Sequence, residues 1–199
     1  VGATERISAM GRLPLEYLQK YGYKGEIFPI NPKGEKIFGF NTYKNIKDVG
    51  KPIDLALIMV PYELVLQAVK DCVQSKVKVA VVMSSGFAEA SDAGAKAQEL
   101  LVNVANQSGM RLVGPNCIGS AGGEVKLTAT FSPVFSGAST YLSAGNIALV
   151  SQSGALGYGI YSLANERGLS IGYVVTTGNE ADVTALEVAQ SLSKETKVS

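Results

Sequence analysis

Two stretches of this sequence leave no room for a solvated face. Residues 54–60 read Asp-Leu-Ala-Leu-Ile-Met-Val, and residues 77–83 read Val-Lys-Val-Ala-Val-Val-Met. A strand with one wet face alternates apolar and polar residues. A near-continuous apolar run is what a strand covered on both faces needs. Segments of helical period follow them: 63–74, with Leu64, Val65, Ala68, Val69 and Cys72 on one stripe, and 93–109. Strands alternating with helices predict an α/β chain with a parallel sheet covered by helices on both faces.

The remaining segments extend that pattern. Residues 2–11 form a turn into a helix over 12–21, whose Leu13, Tyr17 and Leu18 recur at helical spacing and whose Pro14 suits only a first turn. Residues 26–30 predict a strand running into Asn31-Pro32-Lys33-Gly34, and 110–113 predict another ahead of Gly114-Pro115-Asn116-Cys117. Polar or glycine-bearing turns thus follow each strand, at 2–4, 31–33, 61–62, 84–87 and 114–117. In open parallel sheets, ligands bind outside those carboxyl ends. Five such turns on one edge point to a nucleotide-sized ligand.

Residues 124–145 break the rhythm. They are rich in Ser, Gly and Thr, carry Pro133 and show no helical period, which predicts a linker or a short antiparallel excursion. The pattern restarts at Ile147-Ala-Leu-Val, followed by Ser151, Gln152, Ser153 and Gly154 and a helix over 155–167. A strand, a tight polar turn and a helix aim backbone N–H groups at one point, where the macrodipole adds partial positive charge. An anion site and an ordinary serine-capped connection both fit these residues. A strand over 171–175 then delivers Gly178-Asn179-Glu180-Ala181-Asp182, ahead of a helix over 183–192. Residues 146–199 alone are few for a doubly wound core. Both ends look cut: residues 1–4 read as the end of a strand, and 197–199 stand where another could begin.

Composition excludes several classes. A net charge of +1 and the absence of a Lys/Arg run argue against nucleic acid. No apolar run reaches the ~18 residues of a membrane span, and no signal peptide is visible. The two cysteines, Cys72 and Cys117, stand in no metal spacing and suit a reducing cytoplasm. The chain contains no histidine, so histidine chemistry cannot come from these residues.

Taken together, the turns resemble those of the nucleoside-diphosphate-forming acyl-CoA synthetases, relatives of the succinyl-CoA synthetase alpha subunit and of ADP-forming acetyl-CoA synthetase. Val1-Gly2-Ala3-Thr4, Pro29-Ile30-Asn31-Pro32-Lys33, Val60-Pro61, Ser84-Ser85-Gly86-Phe87-Ala88-Glu89, Gly114-Pro115-Asn116-Cys117, Ser151-Gln152-Ser153-Gly154 and Gly178-Asn179-Glu180-Ala181-Asp182 match in order, over essentially all 199 residues. The resemblance implies a Rossmann-like CoA-binding domain over 1–123, a linker over 124–145, and the first part of a flavodoxin-like, succinyl-CoA-synthetase-like parallel-sheet domain over 146–199.

By that resemblance, Gly2, Ala3, Thr4, Asn31, Pro32, Lys33, Val60, Pro61, Ser84, Ser85 and Gly86 line the CoA cleft, and Lys33 meets a CoA phosphate. Asn116 and Cys117 lie near the reactive thiol end. Ser151, Gln152, Ser153 and Gly154 hold phosphate or the transferring phosphoryl group, and Glu180 is the catalytic residue that orients a phosphohistidine loop. The histidine lies beyond residue 199 in the family, so this segment alone is expected to be inactive. Implied cofactors are coenzyme A, phosphate, and ADP/ATP with Mg2+ bound largely elsewhere. Implied partners are acyl-CoA, further domains or a beta-type ATP-grasp subunit, and an oligomer in the cytoplasm, with neither nucleic acid nor membrane.

Two other functions fit less of the sequence. One is a non-catalytic CoA or acyl-CoA sensor fused to an acetyltransferase. The other is an NAD(P)-dependent oxidoreductase. The second lacks Gly-x-Gly-x-x-Gly, and Pro29–Pro32 stands where an acidic ribose reader belongs. The opening turn is also poorer in glycine than the family's, with Glu5-Arg6-Ile7-Ser8 leading to a single Gly11.

Overall fold

The apolar runs do form strands: β1 (Leu55–Ile58), β2 (Val79–Val82) and β3 (Arg111–Val113) make a parallel sheet in the order β1-β2-β3. Leu55 pairs with Val79 and Ile58 with Val82, while Val79 pairs with Arg111 and Val81 with Val113. The structure, a computed structural model, describes residues 1–137, 143–195 and 198. Part of the expected linker (138–142) and positions 196, 197 and 199 at the expected further strand lie outside the described residues.

Helices α1 (Leu13–Lys20), α2 (Tyr62–Gln74) and α3 (Asp92–Asn106) complete the first unit. Val65, Val69 and Cys72 of α2 and Leu101 and Ala105 of α3 pack with Ile58, Ala80, Val82 and Leu112 in one core. Leu64, expected on that stripe, is exposed. The opposite face of the sheet differs from the expectation of plain helix cover. There Val81 packs with Met83, with Cys117 on the way to the second sheet, and with Phe131 just beyond β5.

The strand expected at 26–30 does not form. Ile30 makes only an isolated parallel bridge with Tyr43. Pro29 has no N–H to donate, so no ladder can continue through it. Ile30 instead accepts from the N–H groups of Gly2 and Ala3, while Val1 bonds β1 through Leu57 O and Met59 N. Residues 1–3 therefore run between β1 and Ile30, as the reading of residues 1–4 as a strand end requires.

The second sheet is mixed rather than purely parallel. Its strands are β4 (Gly119–Gly122), β5 (Leu127–Thr130), β6 (Ile147–Ser151) and β7 (Ile171–Thr176), in the order β5-β4-β7-β6. β6 and β7 are parallel, while β4 runs antiparallel to both β5 and β7. The excursion alternative thus holds for 127–130, and the sheets divide upstream of residue 123 because β4 already belongs to the second. Helices α4 (Gly154–Glu166) and α5 (Ala185–Leu192) follow β6 and β7.

The core of this unit is not made from its own residues alone. Phe135, fully buried on a 3-10 turn at Pro133–Ser136, contacts the rings of Tyr17, Tyr21, Tyr158 and Tyr161. Tyr17 and Tyr21 come from α1 and the residue that caps it. Lys20 donates to the carbonyls of Phe135 (2.8 Å), Ser136 (3.2 Å) and Gly137 (2.8 Å), satisfying the end of that turn. The stretch that reads as a linker is the plug between the two units.

Beyond β7 the chain returns to the first sheet. The N–H groups of Asn179, Ala181 and Val183 donate to Pro115, Gly114 and Leu112, along the free edge of β3 and its exit. The Asp182 carboxylate accepts from Leu112 N at 2.7 Å and pairs with Arg111 at 3.0 Å. Asp182 is largely buried and satisfies a backbone donor, whereas the Lys78–Asp54 pair is well exposed. Asp182→Ala should therefore lower unfolding stability by about 2–3 kcal/mol in urea denaturation, the range for losing a charged partner of a backbone donor. Asp54→Ala should leave the urea midpoint almost unmoved.

Candidate functional site

The turns singled out in the sequence are stitched into one continuous row. Asn31 donates from its side chain to Ala3 O at 2.7 Å. A Cβ on Gly2 would lie 2.2 Å from Met59 O, so the first turn lies against the residues leading to Val60 and Pro61. Ser84 donates through its hydroxyl to Val60 O at 2.6 Å, and Asn116 N donates to Ser84 O at 3.0 Å. Asn116 then reaches Asn179 across 3.4 Å, and Gly178 N donates to Gln152 O at 3.0 Å. The row joins all seven sequence turns.

Each position has a distinct setting within the row. Lys33 is exposed on an Asx turn closed by its own N–H on Asn31 Oδ1, at 2.8 Å. Among the described residues no carboxylate pairs with it. Pro32, Pro61 and Ser85 are exposed, while Gly2, Thr4, Asn31, Val60, Ser84 and Gly86 are half-buried and Ala3 is buried. Gly86 lies under the Tyr62 ring, 3.2 Å from where a Cβ would be. Cys117 faces inward. Its side chain is buried, its Sγ faces Val82 O at 3.5 Å, and burial pushes its thiol up to about 12. The thiol is a core group, and any ligand contact at 117 falls to the backbone.

The serine turn combines the two alternatives left open by its sequence. Ser153 is the N-cap of α4 and accepts from Leu156 N at 3.3 Å, so its hydroxyl oxygen is used and its proton is free to donate. The Ser151 hydroxyl donates to Ser153 O at 2.9 Å and is already committed. Among the described residues no acceptor takes the N–H groups of Gly154 and Ala155. Two free backbone donors and one hydroxyl proton thus converge where a 13-residue helix begins. Gly154 serves a packing purpose that sequence reasoning missed. A Cβ there would fall 2.4–2.9 Å from the Ile118 side chain, so its absence lets the helix seat on the strand entry.

Glu180 also has two settings. Its Oε1 accepts from Thr177 Oγ1 (2.7 Å) and Ala185 N (2.8 Å), the start of α5. Among the described residues no donor is recorded at Oε2. The residue holds φ at +55°, an unusual conformation for a side chain other than glycine. Next to it Gly178, at φ +62°, would place a Cβ 2.3 Å from Pro115 O, so only glycine lets the turn touch the first unit. The sequence showed Glu89 only as the end of the 84–89 motif, without a role, and did not single out Gln98; both hold the Asn179 side chain. Their separation along the chain gave no signal.

Two absences concern ligands. Among the described residues no cluster of three or more His, Cys, Asp or Glu could hold a metal ion, and no helix is long and apolar enough to cross a membrane. A cavity of about 330 Å³ lies between α1, β5 and the start of β1, lined by groups such as Leu15, Leu18, Leu55 and Leu127, and reaches the back of the first turns at Ala3 and Ile30.

Comparison with known proteins matches the chain to two family models, the first of which includes β4 of the second sheet. Residues 1–123 match the model of the CoA binding domain, and 144–199 that of the succinyl-CoA ligase like flavodoxin domain. The chain is 37% identical over 187 residues to the acetate–CoA ligase [ADP-forming] I subunit alpha of Pyrococcus furiosus, aligning 92% of itself with 39% of that protein. It is 32% identical to the 4-hydroxybutyrate–CoA ligase [ADP-forming] of Nitrosopumilus maritimus, aligning 100% of itself with 28% of that protein. Its backbone is similar to the dinucleotide forming acetyl-coenzyme A synthetase 1 of Ca. Korarchaeum cryptofilum in complex with phosphate and ADP, with a TM-score of 0.91, 36% identity, and coverage of 99% of this chain and 41% of that one. The chain therefore spans well under half the length of these relatives.

Two outcomes follow from the site geometry. Gly154→Ala should destabilise the chain by about 1–3 kcal/mol through overpacking, and Ile118→Ala in the same molecule should recover part of that loss in a double-mutant cycle. Additive losses would show that the two side chains do not compete for space. Burial also holds the Cys72 thiol up at about 11 and that of Cys117 at about 12. At pH 8, iodoacetamide should label neither cysteine until the chain is unfolded in urea, as read by mass spectrometry.

Proposed function

This chain belongs to the CoA binding domain family, and we propose that it is the CoA- and phosphate-binding part of a nucleoside-diphosphate-forming acyl-CoA synthetase. The observation that carries the reading is the unbroken row from Asn31 through Ala3, Val60, Ser84 and Asn116 to Asn179 and Gln152. It gives an elongated ligand one edge to lie along and ends at the free N–H groups of α4. The match of 144–199 to a succinyl-CoA ligase like domain supports the same reading for the second unit. The division into 1–123, 124–145 and 146–199 is part of this proposal and rests on the two family matches.

In this proposal CoA lies along residues 2–4, 31–33, 60–61 and 84–86, with its thiol end at 116–117. Lys33 supplies a point charge to a CoA phosphate, because it is exposed and carries no carboxylate partner among the described residues. Inorganic phosphate is held by Gly154 N, Ala155 N and the Ser153 hydroxyl, donors fixed before the charge arrives. A phosphate oxygen there attacks the thioester carbonyl. The carbon–sulfur bond breaks, CoA leaves as its thiol, and an acyl phosphate remains. A histidine outside this chain takes the phosphoryl group, releases the acid, and passes the group to a nucleoside diphosphate. Glu180 orients that histidine through Oε2. Nucleotide and Mg2+ are assigned to other parts of the longer enzyme or to a beta-type subunit. The two unpaired cysteines support a cytoplasmic setting.

Calorimetric titration of the full-length protein tests the reading. CoA should bind and NAD should not. Binding of NAD with no CoA signal would refute the ligand assignment. Lys33→Ala should weaken CoA by about 1–3 kcal/mol, the range for a charge-assisted contact, and weaken dephospho-CoA less. Equal losses for both ligands would remove Lys33 from the 3′-phosphate.

A further inference from the structure

Asn179 belongs to the second unit, but its side chain is held by the first. Its Nδ2 donates to Glu89 Oε2 and, at 2.9 Å, to Gln98 Oε1. Both amide hydrogens are thereby used, and its Oδ1 accepts from Asn116 Nδ2 at 3.4 Å. Glu89 is occupied on its other oxygen. Oε1 accepts from Gly86 N at 2.6 Å and Phe87 N at 3.2 Å. One carboxylate thus grips the 84–87 turn with one oxygen and Asn179 with the other.

The next residue along the chain is Glu180, held at φ +55°. Such a conformation persists in a non-glycine residue only when its surroundings fix it. Part of that fixing is backbone, through Asn179 N on Pro115 O at 2.9 Å and Ala181 N on Gly114 O at 3.0 Å. The side-chain part runs through Glu89, Gln98 and Asn116 on Asn179, and through the Glu180 carboxylate on Thr177 Oγ1 and Ala185 N. Partial burial works against charge on Glu89, but the donors from Asn179, Gly86 and Phe87 outweigh it and hold the carboxyl below the usual carboxylate range. It is ionised at neutral pH, and each of these hydrogen bonds is charge-assisted.

We propose that Glu89, assisted by Gln98, is a positioning residue that locks Asn179 and so sets Glu180 in register with the 84–87 turn. Through this clamp, occupancy of the CoA turn and placement of the catalytic carboxylate are one event. The catalytic half of this statement rests on the function proposed above; the clamp itself does not. Ligand lying along 84–86 orders the turn whose Gly86 and Phe87 N–H groups Glu89 grips, and the order passes to Asn179 through one side chain.

The test uses the full-length protein carrying Glu89→Ala, Asn179→Ala, both together, and Glu89→Gln. Hydrogen exchange at the amides of 178–181 and steady-state kinetics are read side by side. Glu89→Ala should speed exchange at those amides roughly tenfold while β1 and β2 amides stay protected, which separates loss of the clamp from unfolding. It should lower kcat roughly 10- to 100-fold, as small misplacements of catalytic groups do, and change the KM for CoA less than about threefold. Asn179→Ala should match it, the double variant should be no worse than the worse single one, and Glu89→Gln should recover part of kcat because one acceptor oxygen remains. Additive losses in the double variant, unchanged exchange at 178–181, or a loss confined to the KM for CoA would overturn the clamp. A wild-type protein with protected 178–181 amides that neither binds CoA nor acts on acyl-CoA would overturn the functional reading and, with it, the link to catalysis.

Discussion

The structure depends on a short backbone ladder between two loops. Asn179, Ala181 and Val183 donate to Pro115, Gly114 and Leu112, while Thr177 and Gly178 donate to Ser151 and Gln152. One segment, 177–183, thereby closes the edge of the first sheet and the end of β6 in the second. These N–H groups are removed from water when the units meet, and each would be costly if left unpaired. The requirement fixes the side chains too. Gly178 cannot carry a Cβ because Pro115 O occupies that space, and Asp182 must reach back to Leu112 N. This ladder ties the 114–117 turn to the serine turn.

The apolar packing obeys the same joint construction. Residues 146–195 carry α4, α5 and two strands, too little to bury their own aromatic rings. Tyr158 and Tyr161 of α4 are covered by Phe135 from the preceding segment and Tyr17 from α1. Aromatic contacts of this kind contribute ~0.5–1.5 kcal/mol each beyond burial. Lys20, on the same helix as Tyr17, closes the carbonyls behind Phe135. The first helix of the CoA unit is therefore also a wall of the second unit.

Much of this was legible in the sequence, and the parts that were not share a cause. β1 and β2 announce themselves as near-continuous apolar runs, and β3, β6 and β7 as short apolar runs that end in polar or glycine-bearing turns. β4 (Gly-Ser-Ala-Gly) and β5 (Leu-Thr-Ala-Thr) carry no such mark. They are strands because their neighbours make them so, and the buried Thr130 finds its partner only in the fold, donating to Ile118 O at 2.8 Å. The segment 26–30 failed in the opposite way, since Phe28 and Ile30 look like strand residues but Pro29 prevents a ladder. The turns that build the site were visible as polar punctuation after apolar runs. Their order in space was not, and neither was the role of Glu89, because hydrogen bonds such as Glu89–Asn179 join residues 90 positions apart.

Several groups of the site share one property: each uses part of its bonding capacity for structure and leaves the rest open. Ser153 spends its oxygen on capping α4 and retains its proton. Glu180 spends Oε1 on Thr177 and the start of α5 and retains Oε2. Asn31 shapes the Lys33 turn with Oδ1 and ties down Ala3 with Nδ2, leaving the lysine ammonium in solvent. A free atom on a tethered side chain needs little reorganisation when a ligand arrives, which is the condition for strong electrostatic stabilisation. The bland and the functional readings of the serine turn were never exclusive. The cap is what holds the hydroxyl still, and in the same way the bonds of Oε1 to Thr177 and to the first N–H of α5 are what hold the Glu180 carboxylate still.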